Sequence, residues 1–406
     1  MFVGLLLVSQ WLQTFFMQLT EAVQRLGTET AFKVLAKAKQ MAAEGRSIVH
    51  LEIGQPDFPT PANICEAGKR AIDEGYTSYG PTCGLPEVRE CIAQHISKTR
   101  SIEVNPSQVV VTPGGKPIMF FTILSVVEPG DEVVYPDPGF PIYKSLIDYI
   151  GGKGVPLPLL EENDFSFDLE KLKELVSDKT KLLILNSPQN PTGGVLKKSD
   201  LEAIAALCVK HDVLILADEI YSELIYEGTF ESVTQFPGVS ERTVILDGFS
   251  KTYSMTGWRL GYGIFPQWMV ESIERLMVNS NSCTASFSQR AGIEALTGQQ
   301  ESVSEMREAF RNRRDFIVKG LNQIPGISCR TPRGAFYVFA NVSQLPISSG
   351  ELETRLLEEA GVACLAGGGF GEQGENFLRF SYANSIENIG EALKRIETFL
   401  GKLQVP

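Results

Sequence analysis

Short runs of apolar residues recur along the chain between residues 60 and 300, and each is closely followed by Gly, Pro, Asn or Asp. The runs are continuous rather than alternating in polarity, which is typical of strands buried on both faces. Helical periodicity separates them, for example over 168–176 and over 199–211, where Ser199 is a candidate N-cap. This alternation predicts a mostly parallel sheet covered by helices on both faces. The runs cover residues 109–111, 132–135, 181–185, 213–217 and 243–246.

The pattern changes after residue 300. A long, charged, amphipathic helix is predicted over 302–321, where it would bridge two domains. Two shorter strands are predicted over 334–339 and 377–381, and helices around 350–360 and 387–402. Because 406 residues are too many for one comfortable hydrophobic core, we expect these segments to belong to a second domain.

The composition is that of an ordinary globular protein, with 43% hydrophobic and 21% charged residues. The formal net charge of -12 disfavours binding to nucleic acid or to anionic membrane surfaces. The 7 cysteines are odd in number and form no CxxC pair, which indicates reduced thiols in a cytoplasmic protein. Only 3 histidines are present, so no metal site is predicted.

The first residues include an apolar run over 2–8. The run is too short to span a bilayer, and it lacks the basic region and the cleavage site of a signal peptide. We expect natural translation to begin at Met17, so that residues 1–16 are an extension outside the domains. Sequencing the amino terminus of the native protein tests this, since a mature chain that starts at Met1 contradicts it.

Candidate chemistry lies after the apolar runs, because functional groups in parallel sheets collect at the carboxyl ends of the strands. The first run leads into Gly114, Gly115 and Lys116 at the start of a helix, where free backbone N–H groups favour an anion. Such glycine turns are also common without any ligand. The third run leads into a Pro-Gly turn over 186–194, which contains the side-chain amide of Asn190.

The fourth run ends at Asp218, which is either a helix cap or a carboxylate that holds a positive group in a cleft. The fifth run leads to Lys251 among small residues. Lysine is almost never buried unpaired, so an amine that forms an imine is one explanation, and a solvated loop lysine is the other. An anion cradle, a carboxylate, an amide, a reactive amine and the nearby Arg259 together match the needs of a phosphorylated pyridine aldehyde, pyridoxal 5'-phosphate.

Several of these segments resemble the class I and II pyridoxal-phosphate-dependent aminotransferases. Residues 248–261 are similar to the lysine attachment signature of that family, and the other similar segments occur in the family's order from about Met17 to the carboxyl terminus. The resemblance implies an aspartate aminotransferase-like α/β fold. A large cofactor-binding domain over 63–299 would hold a mostly parallel seven-stranded sheet flanked by helices, and residues 17–62 with 300–406 would form a smaller α+β domain. The other similar segments are 51–57, 190–193, 218–221, 333–337 and 377–382.

The resemblance also assigns roles around the cofactor. Lys251 would hold it as a Schiff base, and Asp218 would keep its pyridine nitrogen protonated. Asn190 and Tyr221 would donate to its phenolate oxygen, while Phe140 would stack on the ring, although a core phenylalanine is the alternative. The phosphate would be held by Arg259 and by N–H groups around Gly114, Gly115 and Lys116.

Two further features concern the phosphate. Family members often have a serine three residues before the lysine, where this chain has Gly248, so Ser250 or a backbone group would substitute. Tyr79 resembles a tyrosine that reaches the phosphate from the other subunit, which implies a homodimer with shared active sites.

For the substrates, the resemblance implies that Arg379 binds the α-carboxylate of an L-amino acid, with Gly54 and Asn190 nearby. Lys251, once displaced, would act as general base. Transfer of the amino group to a 2-oxo acid would follow a ping-pong course.

Three questions stay open at this point. A carbon–sulfur β-lyase could use the same residues, and a non-catalytic cofactor-sensing regulator is a remote alternative that would need a DNA-binding module before Met17. No second cation for a side-chain carboxylate is located, and residues 117–127 are uncharged. This favours neutral or aromatic substrates, or dual specificity.

Overall fold

The structure is a computed structural model and describes residues 19–403. The extension predicted over residues 1–16 lies outside the described residues. Within them, a sheet with the strand order β2-β9-β8-β7-β6-β3-β4-β5 forms the larger part of the fold. Its strands are β2 (Val109–Thr112), β3 (Glu132–Asp137), β4 (Lys153–Leu160), β5 (Ser166–Phe167), β6 (Thr180–Asn186), β7 (Leu214–Asp218), β8 (Thr243–Gly248) and β9 (Gly261–Ile264).

The five apolar runs correspond to β2, β3, β6, β7 and β8, as predicted. Strand β9 lies antiparallel between β2 and β8, and the two-residue β5 pairs antiparallel with β4. The remaining pairs are parallel. The mostly parallel sheet is thereby confirmed, and β5 adds a short eighth strand to the seven expected.

Helices cover both faces of this sheet, as the apolar runs predict. In β7, Leu214 and Leu216 pack into one hydrophobic cluster, whereas Ile215 and Ala217 pack into another on the opposite face. The helices of this part of the chain are α3 (Ala62–Asp73), α4 (Pro86–Arg100), α5 (Lys116–Val126), α6 (Ile142–Ile150), α7 (Leu169–Leu175), α8 (Lys198–His211), α9 (Val270–Ser280) and α10 (Ser286–Thr297).

The starts of two helices test the sequence signals. Asp168 caps α7 by accepting a hydrogen bond from the backbone of Lys171 at 2.9 Å. The N-cap expected at Ser199 is wrong, because α8 begins at Lys198 and Ser199 lies in its first turn. Helix boundaries are commonly displaced by one or two residues in this way.

A smaller antiparallel sheet has the order β10-β11-β14-β13, and β1 pairs with β12 beside it. Its hydrophobic cluster also includes residues of the long helix α11, such as Phe310 and Ile317. The elements of this part are β1 (Val49–His50), β10 (Ser328–Cys329), β11 (Tyr337–Asn341), β12 (Val362–Ala363), β13 (Leu365–Ala366), β14 (Phe377–Ser381), α2 (Thr30–Ala43), α11 (Glu301–Leu321), α12 (Ser349–Arg355) and α13 (Ile386–Leu403). The short helix α1 (Glu21–Arg25) instead packs against α6, where Arg25 donates to the carbonyl oxygens of Asp148 and Tyr149.

The carboxyl ends of three parallel strands meet at one edge of the large sheet. Asn186 pairs with Asp218, and Asp218 pairs with Leu246, so β6, β7 and β8 end side by side. Groups that follow these strands are therefore close together. Within residues 19–403, no helix is both long and apolar enough to cross a membrane.

Candidate active site

A cavity of about 530 Å³ opens at this edge of the sheet. That volume lies in the range of about 300–1,000 Å³ that is usual for small-molecule sites. Its lining combines Asp218 and Lys251 from the large sheet with Tyr337 and Arg379 from the small one. Of the residues predicted for the site, the lining also includes Gly54, Gly115, Lys116, Phe140, Asn190, Tyr221, Ser250 and Arg259.

Lys251 extends into the cavity from the loop after β8. Its Nζ donates a hydrogen bond to the carbonyl oxygen of Gly54 at 2.5 Å. Burial lowers the pKa of the Lys251 amine to about 8, and the positive charge of Arg379 acts in the same direction. A fraction of the amine is therefore unprotonated near neutral pH, which is what a nucleophile or a base requires. The structure favours the reactive amine over the solvated loop lysine.

Asp218 ends β7 and is 5% exposed. Its Oδ2 accepts a hydrogen bond from the hydroxyl of Tyr143 at 2.6 Å, and its Oδ1 accepts one from the backbone of Ile220 at 3.3 Å. Burial raises the pKa of the carboxyl from 3.8 to about 6 despite these bonds. The carboxylate lies at the cavity wall and does not cap a helix, so the alternative reading as a cap does not hold.

The raised pKa of Asp218 predicts a pH-dependent cost to the protein without cofactor. The folded state holds the carboxyl proton more tightly than the unfolded state, so this cost appears as pH rises from about 4 through 6. At pH 7.5 it amounts to about 3 kcal/mol for a shift from 3.8 to about 6. Asp218→Asn should therefore make the apoprotein more stable by up to this amount above pH 7. Denaturant unfolding at pH 5 and pH 7.5 measures the gain, and a gain that does not increase with pH contradicts the explanation.

Tyr221 lies beside Tyr337, and the two hydroxyls are 2.8 Å apart. Burial raises the pKa of both phenols, so both are protonated and can donate. Gly54 approaches the same group closely, because a Cβ at position 54 would lie 2.1 Å from the Tyr337 hydroxyl oxygen. Only glycine fits there, and the close approach leaves its carbonyl in contact with Lys251.

Arg379, in β14, is 3% exposed and brings a positive charge into the cavity. Its Nη1 donates to the side-chain oxygen of Asn190 at 3.0 Å, and its Nη2 donates to the carbonyl oxygen of Glu52. Its Nε has no hydrogen-bond partner among the described residues. A buried donor without a partner is costly, and an anionic ligand would satisfy it.

Another part of the cavity wall carries groups that can bind an anion. Gly115 precedes the first turn of α5, and the N–H groups of Gly115 and Lys116 have no backbone partner among the described residues. The N–H of Gly114 is not available, because it donates to the carbonyl oxygen of Thr112 at 2.8 Å, and Pro117 has no N–H group. Gly114 has φ +82°, and a Cβ there would lie 2.2 Å from Nη2 of Arg259. The guanidinium is held by the carbonyl oxygens of Thr256, at 2.9 Å, and Pro113, at 3.4 Å.

The structure explains why a serine is missing three residues before Lys251. A Cβ at Gly248 would lie 2.9 Å from the Cα of Gly261 and 3.3 Å from the carbonyl oxygen of Leu260. Strand β9 therefore leaves no room for a side chain. Ser250, by contrast, is buried and lies in the cavity lining.

Two predicted residues lie outside the lining within this chain. Gly114 packs beneath Arg259 rather than at the cavity surface. Tyr79 is 91% exposed and does not contribute to the cavity. Among the described residues, no group of three or more His, Cys, Asp or Glu side chains is arranged to hold a metal ion.

The side chain of Lys116 places a further cation in the cavity lining, which the sequence did not reveal. Its Nζ forms an ion pair with Glu29 and lies 5.8 Å and 5.7 Å from the ring centres of Phe32 and Phe140. All four residues line the cavity. The sequence pattern around Lys116 indicates only backbone N–H groups, and the ion pair with Glu29 leaves no sign in it.

Sequence reasoning also missed Tyr143 and Tyr337. Tyr143 lies only three residues after Phe140, and the two rings pack edge to face at 5.7 Å. Tyr337 ends a segment that carries the family resemblance, but no role was assigned to it. The available signal was a hydroxyl-bearing aromatic residue three positions after Phe140 for Tyr143, and one at the end of a segment that carries the resemblance for Tyr337.

Comparison with known proteins now defines the class. The chain matches the model of the family "Aminotransferase class I and II" over residues 46–396, and it belongs to that family. The predicted resemblance, fold class and enzymatic activity are thereby confirmed: the protein is an aminotransferase. The family uses pyridoxal phosphate.

Individual relatives are similar along nearly their whole length. An aspartate aminotransferase of Pyrococcus abyssi is 40% identical over 370 residues, which are 90% of this chain and 95% of that protein. Aromatic-amino-acid aminotransferase 2 of Thermococcus litoralis is 38% identical over 370 residues, again 90% of this chain and 95% of that protein. An aspartate aminotransferase of Thermus thermophilus, solved with maleate, has a TM-score of 0.90 at 36% identity and covers 94% of this chain and 99% of its own.

Proposed function

We propose that this protein is a pyridoxal-phosphate-dependent aminotransferase that moves the amino group of an L-amino acid to a 2-oxo acid by a ping-pong mechanism. One observation carries the proposal. The amine of Lys251 and the carboxylate of Asp218 are buried in one cavity with Arg379, whose Nε has no partner among the described residues. The aldehyde of the cofactor needs an amine, and its pyridine nitrogen needs a carboxylate. The substrate carboxylate needs a guanidinium.

The cavity fits the cofactor at both ends. The phosphate would accept bonds from the start of α5 and from Arg259, where Gly114 leaves space for the guanidinium. Asp218 would pair with the pyridine nitrogen, and the hydroxyl of Tyr143 keeps that carboxylate oriented. Its raised pKa supports this role, since a buried carboxylate gains most from a cationic partner. Ser250 and Phe140 complete the wall, the latter beside the ring.

When bound, pyridoxal phosphate supplies an electron sink for the bond to the α-carbon. Lys251 would anchor the cofactor through its amine. Once the amino group of the substrate takes its place, the freed amine, whose pKa is lowered, would take the proton from the α-carbon. Tyr221 and Asn190 would donate hydrogen bonds to the phenolate oxygen of the bound cofactor. Arg379 orients the amino acid through its α-carboxylate, as a bidentate guanidinium can.

We propose further that side-chain carboxylates are accepted, with Lys116 as the second cation. Its partner Glu29 is displaceable, because an ion pair with a half-exposed lysine is worth only about 0–1 kcal/mol. The rings of Phe32 and Phe140 beside it leave room for apolar side chains as well. The similarity to aspartate and aromatic aminotransferases, and to a structure solved with the dicarboxylate maleate, supports dual specificity.

Two substitutions separate the two carboxylate sites. Arg379→Lys should raise KM for every amino donor by about 10- to 100-fold, since a charge-assisted bond is worth about 1.5–3 kcal/mol. Lys116→Met should raise KM for aspartate by up to about fivefold, and leave neutral and aromatic donors within about twofold. Steady-state kinetics with 2-oxoglutarate as acceptor measures both. An equal rise for acidic and neutral donors in Lys116→Met contradicts the assignment of Lys116.

The overall activity is tested with a panel of L-amino acids and 2-oxoglutarate, with glutamate as the product measured. In parallel, cystathionine without an acceptor tests for carbon–sulfur elimination. We expect glutamate formation that depends on both substrates. Release of pyruvate and ammonia from cystathionine as the main reaction would identify the β-lyase instead.

We propose that the active enzyme is a cytoplasmic homodimer. Tyr79 and Arg259 are both exposed in the single chain, and a tyrosine from a second subunit would cover the phosphate end of the cavity. Unpaired cysteines throughout the described residues agree with a reducing compartment. Sedimentation of the holoenzyme tests the dimer, and a monomer with full activity contradicts it.

A further inference from the structure

Three charged side chains lie buried behind the cavity but do not line it: Arg100, Glu219 and Asp247. Arg100 is the last residue of α4 and is 1% exposed. Its Nε donates to Glu219 Oε2 at 2.9 Å, and its Nη2 donates to Asp247 Oδ2 at 2.8 Å. One cation and two carboxylates give this charge cluster a net charge of -1 when all three are ionised.

The two carboxylates adjoin the two groups that carry the proposed chemistry. Glu219 directly follows Asp218, and its backbone N–H donates to the carbonyl of Leu246 at 2.9 Å. Asp247 is the second-last residue of β8, which leads to Lys251, and its Oδ1 accepts from the backbone of Gly248 at 2.7 Å. Arg100 thus joins the ends of β7 and β8, from which Asp218 and Lys251 extend.

The charge cluster is closely packed and its hydrogen bonds are satisfied. Ser232 Oγ donates to Glu219 Oε1 at 2.6 Å, and Arg100 Nη1 donates to Thr99 Oγ1 at 3.0 Å. The ring of Phe230 lies 4.6 Å from the guanidinium carbon. A planar fork that bridges two carboxylates is specific to arginine. Because little water screens such a site, its charge acts over a longer distance than a surface charge does.

We propose that the Arg100–Glu219–Asp247 cluster is a positioning element for Asp218 and Lys251, whose net negative charge strengthens the hold of the Lys251 nitrogen on its proton. The inference deepens the proposed function and rests on it, since the lysine must hold the cofactor for the effect to be read. It concerns residues that neither bind substrate nor line the cavity.

Other titratable groups face the same region and must be considered. His95, on α4, is neutral above pH 5 because burial lowers its pKa to about 4. Burial raises the pKa of Asp247 to about 7, so this carboxylate changes charge near neutrality and its own titration would complicate a pH experiment. Glu219 is therefore the residue for the main substitution. The remaining groups are Glu223, Tyr253 and Tyr262 near Asp247, and Glu29, Asp218, Arg259 and Arg379 near Lys251.

The test is a pH titration of the visible absorbance of the cofactor-loaded enzyme, with cofactor retention and Tm measured for each variant. Arg100→Met leaves two buried carboxylates unpaired and is expected to fold poorly. Glu219→Gln keeps the shape and removes one negative charge. We expect it to lower the absorbance midpoint by about 0.5 pH unit, because the loss of a buried negative charge weakens the hold on the proton. Asp247→Asn should shift the midpoint in the same direction.

The matched control is Glu241→Gln, which removes the same charge just before β8, at the exposed end of the strand. The absorbance midpoint of this variant should stay within about 0.1 pH unit of the wild-type value, because surface charge is screened. A Glu219→Gln enzyme with a lower Tm but an unshifted midpoint would show a merely structural cluster and overturn the proposal. If the wild-type protein shows no lysine-dependent absorbance, the proposed function has failed instead.

Discussion

Replacing Lys251 by alanine is expected to lower kcat by at least about 10⁴-fold, which is the upper end of what one positioned acid–base group contributes. The reason is that two roles are lost together: the covalent anchor of the cofactor and the base at the α-carbon. The absorbance that depends on the lysine–cofactor bond should disappear as well. Steady-state kinetics and the visible spectrum of the purified protein measure both effects.

Two variants make this result specific. Lys251→Arg keeps the positive charge but not a free amine, because the guanidinium is not deprotonated in proteins, so it should be as inactive as Lys251→Ala. Lys144→Ala removes an exposed lysine of α6 outside the cavity and should stay within about twofold of wild type. Turnover above a tenth of the wild-type rate in Lys251→Ala would remove this lysine from the mechanism.

Asp218→Asn is expected to lower kcat by about 10²- to 10⁴-fold, because removing one partner of a buried ion pair costs about 3–5 kcal/mol. The amide has nearly the shape of the carboxylate but cannot hold a proton on the pyridine nitrogen by charge. The bond between Lys251 and the cofactor should survive, so the visible absorbance should persist while turnover is lost. Persisting absorbance with lost turnover distinguishes the role of Asp218 from that of Lys251, whose replacement should remove both.

Tyr143→Phe is the matched control for Asp218. It removes the 2.6 Å hydrogen bond to the carboxylate but leaves its charge, and a loss within about tenfold is expected. Asp218→Asn is also the variant expected to stabilise the apoprotein above pH 7. An Asp218→Asn enzyme with kcat within tenfold of wild type would show that the buried charge is not needed.

The sequence predicted those strands whose residues are mostly apolar. Strands β6, β7 and β8 are continuous apolar runs that end in a polar residue or glycine, and burial on both faces requires this pattern. Strand β9 was missed because two of its four residues, Gly261 and Gly263, are glycines. Strand β4 contains Pro156 and Pro158, which argue against a central strand although the strand lies second from the sheet edge.

The sequence predicted those site residues that lie at or after the ends of parallel strands. Asn190, Asp218 and Lys251 come after parallel strands, and such ends meet at one edge. The role of Arg379 came only from the family resemblance, because β14 belongs to the other sheet. No pattern along the chain brings that strand to the cavity.

Contacts that depend on the packed structure could not be read from the sequence. The ion pair between Lys116 and Glu29 joins the first residue of α5 to the residue before α2, far away in the chain. The bridge from Arg100 to Glu219 and Asp247 likewise requires the end of α4 to reach two strand ends. A polar residue in an ordinary helix carries no local sign of such a partner.

The most direct test of the central claim is a single half-reaction. Holoenzyme is mixed with L-aspartate in the absence of any 2-oxo acid, and the released products are counted per active site. Our account predicts about one equivalent of 2-oxo acid, no ammonia and a change in the visible spectrum that 2-oxoglutarate reverses while glutamate forms. Continued release of 2-oxo acid with ammonia, beyond one equivalent and without an acceptor, would contradict amino transfer as the reaction of this protein.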